Sequence, residues 1–155
     1  MKINYEHSFE LPRSIVWKYI KDENVLRNSL PGCRYFEERS TGNYLAEIEI
    51  HLGPIKDMFK LEIYTIEEDP ASTYRLHVKG KGNLGELNGN GVLLITENHG
   101  GTSLSFMTDA EITGALALAS KRILDGTADK SLANFFQKME KEIKKRIYLL
   151  KKRSR

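Results

Sequence analysis

The residue types in this chain that invite chemistry are four histidines, one cysteine and a cluster of glycines. Gly80, Gly82 and Gly85 satisfy the spacing G-x-G-x-x-G. A dinucleotide site needs that spacing between a strand and a helix, because the helix N-terminus holds the pyrophosphate. Here the next element reads as another strand, so the glycines are taken as turns, bulges or close approaches in a curved sheet. His7, His51, His77 and His99 stand at no metal-site spacing to one another or to Cys33, and no metal ligand is expected. His51 and His77 fall on polar strand faces and His99 in a turn. His7 alone shares an apolar face, where a satisfied core or rim histidine is a simpler reading than a base. Cys33 follows the Pro31-Gly32 turn and becomes a nucleophile only with a base beside it, for which there is no local signature. Glu37-Glu38 and Glu67-Glu68-Asp69 are adjacent carboxylates, read as solvated loop or strand-end residues. Serine elbows, P-loops and Cys-x-x-Cys pairs are absent. No catalytic residue and no cofactor is expected.

The elements that must position these residues are short strands around helices. Ile3, Tyr5, His7 and Phe9 alternate with polar residues as a half-buried strand. After Leu11-Pro12, Ser14 to Lys21 and Glu23 to Ser29 read as two short helices, ended by Pro31-Gly32. Six strands follow, near 34–39, 44–51, 59–64, 74–79, 92–96 and 104–112. The turns between them include Ser40 to Asn43, Gly53-Pro54 and Asn98 to Gly101, and Gly80 to Gly91 is a glycine-rich passage. Short turns between consecutive strands predict an antiparallel meander, and the fold class is α+β.

From Gly114 to Leu150 apolar residues recur in steps of three and four: Leu116, Ser120, Ile123, Leu124, Ala128, Leu132, Phe135, Phe136, Met139, Ile143, Ile147 and Leu150. That stripe predicts one long helix with the sheet wrapped around it. Residues 114 to 150, if helical throughout, span about 55 Å. A domain of this length has a radius of gyration of about 15 Å, hence a diameter of about 40 Å. The last three turns or so are therefore expected to overhang. Gly126 is the weak point, since glycine costs about 1 kcal/mol in a helix interior.

A chain of 155 residues suggests a single domain, 1–155, able to bury one core. The net charge of +3 is unevenly spread: residues 141 to 155 hold eight basic residues against Glu142, a net of +7, so residues 1 to 140 carry −4. The basic end points to an anionic partner, or simply suits the helix dipole. It is confined to one terminus with no recognition motif, so nucleic acid is not expected. The N-terminus has no signal-peptide core, and the single cysteine agrees with a reducing compartment, so a cytoplasmic protein is expected.

Several short segments then carry a family resemblance. They are Pro12 with Val16-Trp17, Leu30-Pro31-Gly32-Cys33, Leu52-Gly53-Pro54-Ile55 before Phe59, and Gly101-Thr102 before Leu104-Ser105-Phe106. Gly114-Ala115-Leu116-Ala117 and Phe135-Phe136 complete the set. Together they resemble the CoxG family of carbon monoxide dehydrogenase subunits, within the START/Bet v 1-like (SRPBCC) superfamily. The resemblance implies a helix-grip fold: a seven-stranded antiparallel sheet curved around a long C-terminal helix, two short helices closing one end, and an apolar cavity between. Relatives bind lipids, sterols, quinones or other hydrophobic molecules. The family is tied to molybdenum-containing carbon monoxide dehydrogenases and related hydroxylases, in membrane recruitment or in handling a quinone acceptor.

The expected function is thus non-enzymatic binding of a lipid or quinone, as accessory to a molybdenum hydroxylase. The expected ligand-binding residues are Tyr5, His7, Phe9, Trp17, Tyr44, Ile48, Phe59, Ile63, Tyr74, Phe106, Thr108, Leu116, Ile123, Leu132, Phe135 and Phe136. His7, Tyr44, Tyr74 and Thr108 are the groups expected to orient a polar end. Some superfamily members are cyclases or hydrolases, but His7 is the one obvious acid–base group at an inward position. The alternative is an interaction module docking on a membrane or acidic partner through Lys141, Lys144, Lys145, Arg146, Lys151, Lys152 and Arg153. That reading would place the protein peripherally at the inner face of the membrane.

Overall fold

The structure, a computed structural model, describes residues 1–52, 54–119 and 121–154. Gly53 of the predicted Gly53-Pro54 turn, Ser120 of the helical stripe and Arg155 of the basic end lie outside the described residues. In chain order the elements are β1 (Lys2–Phe9), α1 (Arg13–Tyr19), α2 (Glu23–Ser29), β2 (Cys33–Ser40), β3 (Asn43–Leu52), β4 (Ile55–Asp69), β5 (Thr73–Gly82), β6 (Gly85–Asn98) and β7 (Gly101–Thr113). A 3-10 turn (Gly114–Leu118) and α3 (Lys121–Arg153) complete the chain. The strands form one antiparallel sheet in the order β1-β7-β6-β5-β4-β3-β2. This is the helix-grip fold.

The topology explains the two short helices. β1 lies at one edge and β2 at the other, so the chain between them must cross the sheet's width. α1 opens on Pro12, whose carbonyl accepts from the Ile15 and Val16 N–H groups at 3.0 and 3.1 Å. α2 opens on Asp22, whose carboxylate accepts from the Val25 N–H at 2.9 Å and satisfies an orphan donor. Gly32, at φ +69°, turns the chain into β2, and a side chain there would strike the Glu49 carbonyl oxygen.

The glycine passage is itself strand. Gly80, Gly82, Gly89 and Gly91 stand within β5 and β6, with a tight hairpin pairing Gly82 with Gly85. They share the sheet face of Tyr74 and Leu93. A Cβ on Gly82 would lie 2.6 Å from Asp57 Oδ2 and 2.8 Å from the Phe59 ring. The inner wall therefore folds over its own glycines, which lets the sheet curve. Asp57 is buried and holds this hairpin, accepting from the Leu84 N–H at 2.9 Å and the Asn83 N–H at 3.4 Å.

The C-terminal segment departs from the expected continuous helix in two ways. The α-helix starts at Lys121, not Gly114. Gly114 sits at φ +78° and Ala119 is extended, while the Leu116 N–H donates to the Leu84 carbonyl at 2.7 Å. Leu116 is buried with Leu52 of β3 and Phe59 of β4, and Leu84 and Leu87 of the β5–β6 hairpin pack on the same cluster. Gly126 does not interrupt α3: it is exposed with nothing within 4 Å, and neighbouring turns absorb its cost.

The buried stripe of α3 is Phe136, Met139 and Ile143. They join Phe9, Val16, Val25, Ile95 and Leu104 in the main core. No residue from Lys121 to Phe135 is buried. The expected overhang of the last three turns or so is therefore corrected. Ile143 is fully buried, Ile147 packs on the core, Glu142 accepts from Asn28 at 3.2 Å, and Lys144 pairs with Glu10 at 3.0 Å and Glu140 at 3.3 Å. From Tyr148 to Ser154 every residue is exposed. The excess length is shared between the two ends, since the first turns of α3 also stand off the core.

Candidate functional site

Between the inner sheet face, the α1–α2 end and α3 lies a cavity of about 270 Å³. β2 to β7 supply Phe36, Tyr44, Leu61, Ile63, Thr65, Tyr74, Leu76, Val78, Leu93 and Phe106. Ile20, Lys21, Leu26 and Leu30 close one end, and Leu132, Phe135, Phe136 and Met139 of α3 form the opposite wall. Strand alternation makes the sheet contribution continuous, since Tyr44 opposes Ile63, Ile63 opposes Val78, and Tyr74 opposes Leu93. Helical spacing does the same for Leu132, Phe136 and Met139.

Among the described residues, polar lining is confined to Lys21, Tyr44, Thr65 and Tyr74. Lys21 Nζ donates to Glu67 Oε1 at 2.7 Å and lies 5.3 Å from the Trp17 ring and 5.9 Å from the Tyr74 ring. Trp17 stacks on Tyr74 with centroids 4.4 Å apart and planes at 15°. The Tyr74 hydroxyl donates to Glu67 at 3.2 Å, and the Tyr44 hydroxyl donates to the Lys21 carbonyl at 3.0 Å. Thr65 donates to the Gly42 carbonyl at 3.0 Å. Burial, and then the Glu38 carboxylate, pushes the Tyr44 phenol well above its usual range. Burial followed by Glu67 does the same to Tyr74. Both phenols therefore stay protonated, while the hydrogen bond from Lys21 holds Glu67 below the ordinary carboxylate value.

Of the residues expected at the site, Tyr44, Ile63, Tyr74, Phe106, Leu132, Phe135 and Phe136 line this cavity. The others lie elsewhere. Tyr5 stacks on Phe136 at 5.6 Å, and Phe9 is sealed in the core. His7 packs on the Phe136 ring, and its Nε2 lies 3.2 Å from Glu140 Oε1, which also pairs helix to strand. Trp17 backs Tyr74 without reaching the cavity lining. Ile48 packs beside Phe36, Tyr44 and Ala46. Phe59 and Leu116 form a separate cluster with Leu52, because the sheet is longer than the cavity. Thr108 donates to the Asn90 carbonyl at 2.9 Å. Ile123 is 52% exposed, since the first turns of α3 do not bury their stripe.

Ile20, Lys21, Leu26, Leu30, Phe36, Leu61, Thr65, Leu76, Val78, Leu93 and Met139 also line the cavity and are not among the residues expected there. Period-two alternation already placed Leu61, Leu76 and Val78 beside named neighbours, and Met139 lies on the α3 stripe. Lys21 and Thr65 carried no such signal.

A larger depression of about 880 Å³ lies on the opposite sheet face. Its charges oppose one another across strands, Glu47 to Lys60 and Glu62 to Lys79, as on a solvated sheet surface. Among the described residues no three His, Cys, Asp or Glu side chains converge on a metal position. No helix among them is long and apolar enough to cross a membrane. The Cys33 thiol is pushed up by burial and donates to the Tyr35 carbonyl at 3.3 Å.

The family model for the G subunit (CoxG) of carbon monoxide dehydrogenase matches residues 7–144. The chain belongs to the CoxG family. Comparison with curated proteins gives no match. A conserved protein from Geobacillus kaustophilus is 29% identical, with a TM-score of 0.87 over 94% of this chain and 96% of that one. The Zhui aromatase/cyclase from Streptomyces sp. R1128 shares the fold at 11% identity and TM-score 0.66, covering 95% of both chains. A START superfamily protein from Mycobacterium smegmatis does so at 9% identity and TM-score 0.69, covering 93% of this chain and 97% of that one. In this CoxG-family chain the cavity can remove an apolar group from water and orient one polar end. His7, the acid–base candidate, points its ring at Glu140 and is not part of the lining.

Proposed function

We propose that the protein is a non-enzymatic binder of a hydrophobic small molecule, of the lipid or quinone class, held between sheet and α3. Its CoxG membership supports an accessory role beside a molybdenum hydroxylase of the carbon monoxide dehydrogenase type. The observation that carries the reading is the 270 Å³ cavity, apolar except for four side chains among the described residues. Burying apolar ligand surface there is favourable by about 25 cal/mol per Å². Native mass spectrometry of freshly purified protein is expected to show an adduct of a hydrophobic molecule, or to show one after incubation with lipid extract. A ligand-free mass in both cases would defeat the proposal.

A second reading rests on the exposed C-terminal turns. Tyr148, Leu149 and Leu150 are 64%, 43% and 51% exposed and run straight into Lys151, Lys152 and Arg153. Apolar and basic residues on one exposed helix end suit an anionic lipid surface, peripherally bound. The full chain is expected to co-sediment with phosphatidylglycerol vesicles, and a chain ending at Ile147 is expected not to. Ending there keeps the buried Ile143. Equal pelleting of both chains would rule this reading out.

A further inference from the structure

We infer that the cavity selects a ligand with a neutral, hydrogen-bond-donating head, such as an alcohol or phenol, over one with a carboxylate, and that Glu67 is the residue that sets this choice. The inference rests on the cavity reading above and narrows it: of the lipids and quinones proposed there, alcohols and reduced quinols carry the proton that the site calls for.

Donor accounting carries it. Three hydroxyls line the polar end, and each has already given its proton to a protein acceptor. Tyr44 donates to the Lys21 carbonyl, Tyr74 to Glu67, and Thr65 to the Gly42 carbonyl. A hydroxyl has one proton to give and retains acceptor lone pairs. What these groups offer a ligand is therefore acceptance. An alcohol or phenol supplies the matching proton. A carboxylate is an acceptor only and meets lone pairs.

Charge points the same way. The cation lining the cavity is Lys21, and Glu67 already occupies it at 2.7 Å. The remaining charges near the phenols are the Glu38 and Asp22 carboxylates. Asp22 is itself committed to the start of α2. A ligand carboxylate would have to displace Glu67 from Lys21 or sit beside it as a second anion. A neutral hydroxyl does neither.

Size fixes the probe. At about 30 Å³ per water-sized group, 270 Å³ holds roughly nine non-hydrogen atoms. An eight-carbon chain with its head oxygen fills that space. 1-Octanol and octanoate are then a matched pair differing in head chemistry. Calorimetric titration of the full chain is expected to give at least about tenfold tighter binding of 1-octanol. Glu67→Gln leaves an acceptor for Tyr74 and frees Lys21, so octanoate binding should improve by roughly fivefold while 1-octanol changes little. Tyr74→Phe removes one acceptor and keeps the ring on Trp17, so the preference for 1-octanol should shrink. Octanoate binding to the native chain as tightly as 1-octanol would overturn the inference and leave the cavity reading standing. An unchanged preference in both variants would overturn the role of Glu67. Failure of a folded native chain to bind either probe would remove the cavity reading and this inference with it.

Discussion

Phe136→Ala tests the link between core and cavity at one ring. Phe136 is 1% exposed. On one side Tyr5 stacks on it at 5.6 Å, His7 lies at 5.9 Å, and Phe9 meets it edge-on at 6.5 Å. Its other side lines the cavity. Deleting a buried phenylalanine typically costs about 3–5 kcal/mol, part of it for the void left behind. Here one flank already faces a void, so fewer packing contacts are lost than in a solid core, and the cost should be about 3 kcal/mol. For a domain of this size, that lowers Tm by about 6–12 °C. Urea and thermal denaturation followed by circular dichroism measure it. The enlarged cavity should then bind a longer apolar ligand, and a ligand at a hundred times its Kd restores about 2.7 kcal/mol. The variant should therefore gain more from a long-chain alcohol than the native chain does. A loss below about 1 kcal/mol, or equal rescue of both chains, would refute the view that this ring separates core from cavity.

Three further outcomes follow from the geometry. Gly82→Ala should destabilise the chain, because its Cβ meets Asp57 Oδ2 at 2.6 Å and the Phe59 ring at 2.8 Å, whereas Gly126→Ala, with open space around it, should stabilise α3 by up to about 1 kcal/mol; denaturant midpoints of the pair decide this. Arg34 and then Lys56 hold Glu49 down to about 2 from its usual 4.5, so its contribution is full above pH 4.5 and is lost as pH falls toward 2. Glu49→Gln should flatten that limb of the acid-unfolding curve, and an unchanged slope would contradict the assignment. Amide hydrogen exchange should be faster at 121–131 than at 136–147, since the first stretch buries no side chain and the second contains Phe136, Met139 and Ile143.

The fold was legible because its signals are local. Alternation in Lys2–Phe9 and the Asn98-His99-Gly100-Gly101 turn specify strand and hairpin without reference to the rest of the chain. The start of α3 was not legible, since Gly114 to Leu118 shares the helical stripe and is diverted by the Leu116–Leu84 hydrogen bond, a contact set by tertiary packing. The site divides the same way. Tyr44, Ile63, Tyr74 and Phe106 lie on alternating faces and could be named. Phe59 lies on the same face but beyond the cavity's end, and periodicity carries no information about where along a strand a void begins. Lys21 was invisible because its role depends on Glu67, which is far along the chain in β4 and meets the turn between α1 and α2 only in the folded chain.

The two halves of α3 also differ in what must break for the cavity to open. The second half is fixed by buried apolar side chains and by a polar clamp, with His7 and the Glu10 N–H both on Glu140 and Lys144 bridging Glu10 and Glu140. Burial opposes the charge on Glu140, but the Glu10 N–H, His7 and Lys144 together outweigh it and hold the carboxyl below its ordinary value, so Glu140 is ionised at neutral pH. Leu132 and Phe135, which line the cavity, stand just before this anchored stretch and are only half-buried. Opening at the second half would break the core and the clamp together. Opening at the first half moves residues that bury no side chain fully. Displacement of α3 ahead of Phe136 is therefore expected to cost less than displacement behind it, where Met139 and Ile143 are buried, and amide exchange no faster at 121–131 than at 136–147 would contradict this.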